Sequence, residues 1–138
     1  MRKYGRNRCR RGTALTEFAF LLPVLLFLFV VGVDYARVFK ASIVVTQCAR
    51  NGALYASDPN VANSLPFESV EEAALVEAGE LESSPTVTTT TGADTSGYTW
   101  TEVTVRYPFK TLLTLPGVPN QVDIVRTVRM RNVIAREN

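Results

Sequence analysis

Three residues near the N-terminus could do chemistry together: Gly12, Thr13 and Glu17. A cut in the peptide bond after Gly12 would free an α-amine on Thr13. Glu17 lies four residues further on, which is one turn along the same helical face. Its carboxylate could neutralise that amine or, more usefully, the amine of a neighbouring chain. The other reading of Glu17 is an acid in the wet first turn of a helix, favoured there by the macrodipole. Taken alone, one glutamate leaves the second reading ahead. The rest of the chain offers little chemistry. It has no histidine, the commonest general base and metal ligand. No nucleophile–base pair, metal-ligand cluster or phosphate-binding glycine loop can be named. Glu68, Glu71, Glu72, Glu77, Glu80 and Glu82 read as a solvated helix face, and Asp94 alone does not make a calcium loop. The expectation is a protein that is not an enzyme and uses no cofactor, metal or small-molecule substrate.

What positions Glu17 is the stretch after it. Phe18 to Val33 runs 16 residues without a charge. As a helix it covers roughly 24 Å, against a hydrocarbon core of about 30 Å, so Ala14–Thr16 or the segment past Asp34 must supply the remainder. Pro23 inside the run removes one hydrogen bond to the Ala19 carbonyl, which membrane helices tolerate with a kink. Arg2, Lys3, Arg6, Arg8, Arg10 and Arg11 precede the run and no acid does. That asymmetry keeps the N-terminus in the cytoplasm and exports the rest. Beyond the leader the chain carries nine positives against thirteen negatives, a net of −4. The basic character therefore belongs to the leader and not to a nucleic-acid surface.

Cys9 and Cys48 lie on opposite sides of the span and cannot pair within one chain, so the exported part folds without a disulfide of its own. Cys48, among small residues, reads as a packed helix residue. Ala36 and Ala41 are poor sites for a conventional signal peptidase, because Asp34 and Phe39 stand two residues before them. The apolar run is expected to stay attached.

The chain then reads in order. Met1–Gly12 is a structureless leader. A spine helix runs to about residue 56, with a stripe of Tyr35, Phe39, Ile43, Thr46, Ala49, Ala53 and Ala56 and a possible Asp34–Arg37 pair. Its small-residue end, Ala49, Gly52, Ala53 and Ala56, would admit the chain's own sheet or a neighbouring subunit. Residues 57–67 read as a loop. Ser69 and Glu72 form a capping-box pattern opening a helix over about 69–82. Strands are expected at 86–91, 98–109 and 122–130, with a turn at 92–97. The Pro-rich connector 108–121 is expected over apolar surface. A slip in the alternation near Arg126 suggests a bulge. Arg126, Arg129 and Arg131 could meet the acidic helix.

Gly12, four residues, then Glu17-Phe18 and a long apolar run resembles a type IV prepilin-class signal. More narrowly, RRGTALTEFAFLLPVLL is similar to the opening of the TadE-like family, the pseudopilins of tight-adherence (Flp-type) pilus systems. Ala49–Ala56 resembles that family's helix end, and Val103–Arg131 its closing part. The resemblance implies cleavage by a prepilin peptidase after Gly12 and a mature chain beginning at Thr13. It also implies a role for Glu17, with Phe18 beside it, in pairing with the amine of an adjacent subunit. Partners would be the inner membrane, other pilin or pseudopilin subunits and the pilus assembly platform, with no nucleic acid. The expected fold is α+β and pilin-like: leader 1–12, transmembrane and spine helix 13–56, and a small exported domain 57–138 with a short helix and about three antiparallel strands. The alternative is an uncleaved single-pass membrane protein whose exported domain serves a membrane complex.

Overall fold

In the computed structural model, residues 10–112 and 120–133 are described, with side chains from Ala14 onward. Helix α1, Arg10–Ser57, is 48 residues of unbroken helix that continues through Pro23. At about 1.5 Å per residue it is roughly 72 Å long. Only its distal part is packed. Its buried apolar positions and Gly52 run Ala41, Val45, Cys48, Ala49, Gly52 and Ala53 at helical spacing, between the buried polar residues Asp34 and Ser57. The helix already includes Arg10 and Arg11, inside the stretch read as a structureless leader.

The sheet is a meander of three antiparallel strands in the order β1 (Thr86–Ala93), β2 (Thr99–Lys110), β3 (Gln121–Arg131). Strand β2 is central and alternates as its sequence requires. Thr101, Val103, Val105, Tyr107 and Phe109 are buried against α1, and Glu102, Thr104 and Arg106 face outward. Between β1 and β2, Gly97 takes a positive φ of 81° and its N–H donates to the Asp94 carbonyl at 2.9 Å. This is the type I turn with a left-handed third residue common in hairpins. A small sheet is stable when its apolar face is covered, and α1 supplies that layer.

Two short elements complete the body. Helix α2, Pro59–Ser64, forms where a loop is read from the sequence. Asp58 caps it, accepting from the Asn60 N–H at 2.9 Å, and Pro59 sits at the first helical position. Those two preferences are a helix start rather than only a turn. Helix α3, Val70–Leu75, runs on into a 3-10 helix, Val76–Glu80. Ser69 caps it as expected, accepting from the Glu72 N–H at 3.1 Å. The Glu72 side chain reaches back to the Glu68 N–H at 2.9 Å.

Three other expectations change. The α1 stripe is rotated: Tyr35, Phe39 and Ile43 are exposed, and Ala41, Val45 and Cys48 face the sheet. The small distal residues decide which side the sheet can approach. Strand β3 has no bulge, since its pairing with β2 stays in register from Gln121 to Arg131. Arg126 instead occupies the inner face at the sheet's edge and sends its guanidinium to the Ser42 hydroxyl at 2.7 Å. The β3 arginines do not meet the acidic helix. Arg129 bonds Glu102, and the acids Glu80 and Glu82 pair with Lys40 and Arg37 of α1. Of the connector, residues 113–119 lie outside the described residues.

Candidate functional site

The first half of α1 is surface with nothing in this chain to cover it. Every large apolar residue from Leu15 to Val33 is exposed, Phe18 among them. The helix is long and apolar enough to cross a membrane. In water such a surface would be an aggregation liability, so it calls for lipid or other helices. Glu17 is exposed at its head, and no described hydrogen bond or ion pair includes it. Gly12 and Thr13 lie in the first turns of the helix, one turn before it. Of the positive leader, Arg10 and Arg11 are helical, and Arg2, Lys3, Arg6 and Arg8 lie outside the described residues.

At the other end of the apolar run stands Asp34, which is 9% exposed. Its carboxylate accepts from Arg37 Nη1 at 3.3 Å, the i,i+3 pair expected from the sequence. It also accepts from the Leu112 N–H, at 3.2 Å to each oxygen. Arg37 reaches on to Glu82 at 2.6 Å and lies 5.2 Å from the centre of the Phe109 ring. One turn up, Lys40 bonds Glu80 at 2.8 Å and holds that exposed carboxyl below its usual range, mainly by the hydrogen bond and then by charge. The base of the folded body is therefore tied to the helix just past the apolar run. Of these contacts, only Asp34–Arg37 had a local signal. The bond from Leu112 joins residues 78 apart in sequence.

The distal end of the helix is tied by close approach. A Cβ on Gly52 would meet the Ala74 Cβ at 2.9 Å and Val103 Cγ1 at 3.2 Å. The small residues thus admit both α3 and the sheet of the same chain. Cys48 is buried there, and burial, helped by the charge of Glu77, pushes its thiol up. It is packed and not poised for redox chemistry. The Ser57 carbonyl, at the end of α1, accepts from the Val133 N–H at 2.8 Å, so the chain leaving β3 closes the helix terminus.

On the outer face of the sheet an open hollow of about 550 Å³ lies between the β1–β2 turn and β3. Arg129 lies 4.0 Å from the Trp100 ring centre and is bonded to Glu102, and Arg131 lies over Tyr98. These stacks cover aromatic surface on a wet face and bring no nucleophile and base together. Among the described residues no group of three or more His, Cys, Asp or Glu could hold a metal ion.

Residues 12–54 match the family model of the TadE-like proteins. No curated protein and no solved structure matches the chain significantly. The match opens on Gly12, covers Glu17 and the whole apolar run, and ends in the small-residue part of α1. The closing part of the chain, Val103–Arg131, lies beyond it. The family points to a pseudopilin-type role associated with Tad pili: a membrane-anchored, structural component that works with pilin-type partners. From residue 12 to residue 54, the stretch that carries its candidate cleavage and assembly residues, the chain is similar to the TadE-like proteins.

Proposed function

We propose that this chain is a pseudopilin subunit of a tight-adherence pilus system, cut by a prepilin peptidase after Gly12 and acting through subunit–subunit assembly. The observation that carries the proposal is Glu17, an exposed acid at the head of an apolar helix whose whole first half is uncovered. An ionised carboxylate drawn to the centre of a bilayer costs about 2.5–3.5 kcal/mol, so it needs a partner. Cleavage makes one. It removes the leader arginines and leaves an ammonium on Thr13, four residues from Glu17, which becomes the fifth mature residue. Gly12 is the residue in that turn whose unwinding costs the helix least.

The leader cations hold the N-terminus on the cytoplasmic side of the inner membrane until processing. A released subunit then buries its apolar helix against the helices of others, with Glu17 of one facing the Thr13 amine of the next. Phe18 contributes apolar surface beside that pair. The remainder, from Ser57 onward, stays outside the membrane as the small exported domain.

Glu17→Gln tests the pairing. With the peptidase and the pilus partners co-expressed, the variant should be cut normally yet fail to co-purify with partner subunits. A cut variant that assembles as well as the parent would remove Glu17 from the mechanism.

A further inference from the structure

Two parts of the chain meet where the apolar run ends. The 16 uncharged residues cover ~24 Å of a hydrocarbon core of ~30 Å, leaving about one helical turn to be found. At the entry end the residue next to the run is Glu17, an exposed acid. At the exit end it is Asp34, whose carboxylate is sealed by Arg37 and by the Leu112 N–H. A charge that is paired and hydrogen-bonded costs less to desolvate than a wet one. The exit end is therefore where the helix can sink a further turn.

Sinking there brings the exported body down with it. The bonds from Leu112 to Asp34 fix the end of β2 at the level of the first turn past Val33. At that level Leu112 is 58% exposed and Tyr35 73%, and Val122, paired with Phe109, is 43% exposed. Lys110 is exposed at the same strand end. Thr111 N–H donates to the Asn120 carbonyl at 3.1 Å, closing the base of the β2–β3 connection. Leu112 is held beside Asp34, and Val122 pairs with Phe109, against which Arg37 lies, so exposed apolar side chains of the sheet end stand at the level where the apolar run ends.

We propose that the β2–β3 end of the sheet is a second membrane contact: a lipid-facing foot. Leu112, Val122 and Tyr35 sit in the interfacial layer of the bilayer that α1 crosses. Lys110 meets the lipid phosphates, and Tyr35 takes the interfacial place that aromatic residues favour. The Asp34–Arg37–Leu112 bonds are the latch that keeps the foot level with the span. The exported body is then held flush with the membrane in one orientation, not swinging on the helix. The inference rests on α1 crossing a membrane and not on the pilus role.

The test is single-tryptophan fluorescence of the full chain in vesicles of phosphatidylcholine and phosphatidylglycerol, without bromine, with bromine on the acyl chains near the headgroups (read for Leu112→Trp), or with bromine near the chain ends (read for Leu26→Trp). The parent carries Trp100 alone, at the opposite end of β2. Leu112→Trp and Leu26→Trp are made on Trp100→Phe. Brominated lipid should quench Leu112→Trp and Leu26→Trp and leave Trp100 bright. If Leu26→Trp is quenched but Leu112→Trp stays as bright as Trp100, the body stands clear of the bilayer and the foot is wrong while the span survives. If Leu26→Trp is not quenched, the span fails and the foot with it. A blue-shifted Leu112→Trp that bromine does not quench would mean protein covers it, which overturns the lipid assignment. Val122→Trp, read the same way, decides the matter should Leu112→Trp not fold.

Discussion

Gly52 is the position where the fold leaves least room, and Gly52→Ala puts two effects of known size against each other. In an ordinary helix the change gains about 1 kcal/mol from backbone propensity. Here the new methyl would lie 2.9 Å from the Ala74 Cβ and 3.2 Å from Val103 Cγ1, with the Val70 carbonyl at 3.6 Å. The Ala74 methyl has no rotamer to escape into, so α3 must move off α1. Overpacking of this kind costs about 1–3 kcal/mol, and contact with a rigid neighbour places the cost in the upper part of that range. The net expectation is a loss of about 1–2 kcal/mol, since the steric cost exceeds the propensity gain. For a body of this size that lowers Tm by roughly 4–8 °C per kcal/mol. Thermal unfolding of the detergent-solubilised protein, followed by circular dichroism, reads it directly. Gly79→Ala is the control, because a Cβ there meets nothing within 4 Å. Adding Ala74→Gly to Gly52→Ala should recover part of the loss, a coupling between residues in contact. A Gly52→Ala protein that melts higher than the parent would refute the close packing of α3 on α1.

Asp34→Ala strands the Leu112 N–H and removes one of the two acids that Arg37 bonds. Hydrogen bonds to a charged group contribute about 1.5–3 kcal/mol, so a drop of that order is expected in the same melt. Lys40→Ala, which breaks an exposed pair, should leave the melt unchanged. Cys48 should resist alkylation in the folded protein and react once the chain unfolds. Because burial raises its pKa above the ordinary 9.0, the unfolded chain ionises first. Its contribution to stability is intact below that pH and is lost as pH rises through the folded thiol's range. Melts taken from neutral to strongly alkaline pH should therefore fall more steeply for the parent than for Cys48→Ala.

The elements with local signals were legible in the sequence. The period-two alternation of β2, the Ser69 cap and the uncharged run each state their structure in adjacent residues, and the Asp34–Arg37 pair follows from helical spacing. What was missed depends on residues far apart. The face of α1 that turns inward is set by where the sheet and α3 can come close, which Gly52 and Cys48 report only in the folded chain. Tyr35, Phe39 and Ile43 share one stripe with Ala49 and Ala53 by spacing, yet they are exposed where those alanines are buried. Arg126 broke the alternation of β3 without breaking its register, because a long side chain at a sheet edge can sit on the inner face and reach Ser42. Residues 57–67 read as a loop, but Asp58 as N-cap and Pro59 at the first helical position start α2 there. The residues from Gly12 to Phe18 lie inside the stretch similar to the TadE-like proteins, whereas the bond that ties Leu112 to Asp34 had no sequence signal at all.

The central claim concerns one peptide bond, Gly12–Thr13, and the most direct measurement is the N-terminal residue and intact mass of the membrane-extracted protein. It should be made with and without a co-expressed prepilin peptidase from the same system. The account predicts a chain beginning at Thr13 only when the peptidase is present. A chain beginning at Met1 in both preparations would contradict it and leave an uncleaved single-pass anchor carrying an exported domain.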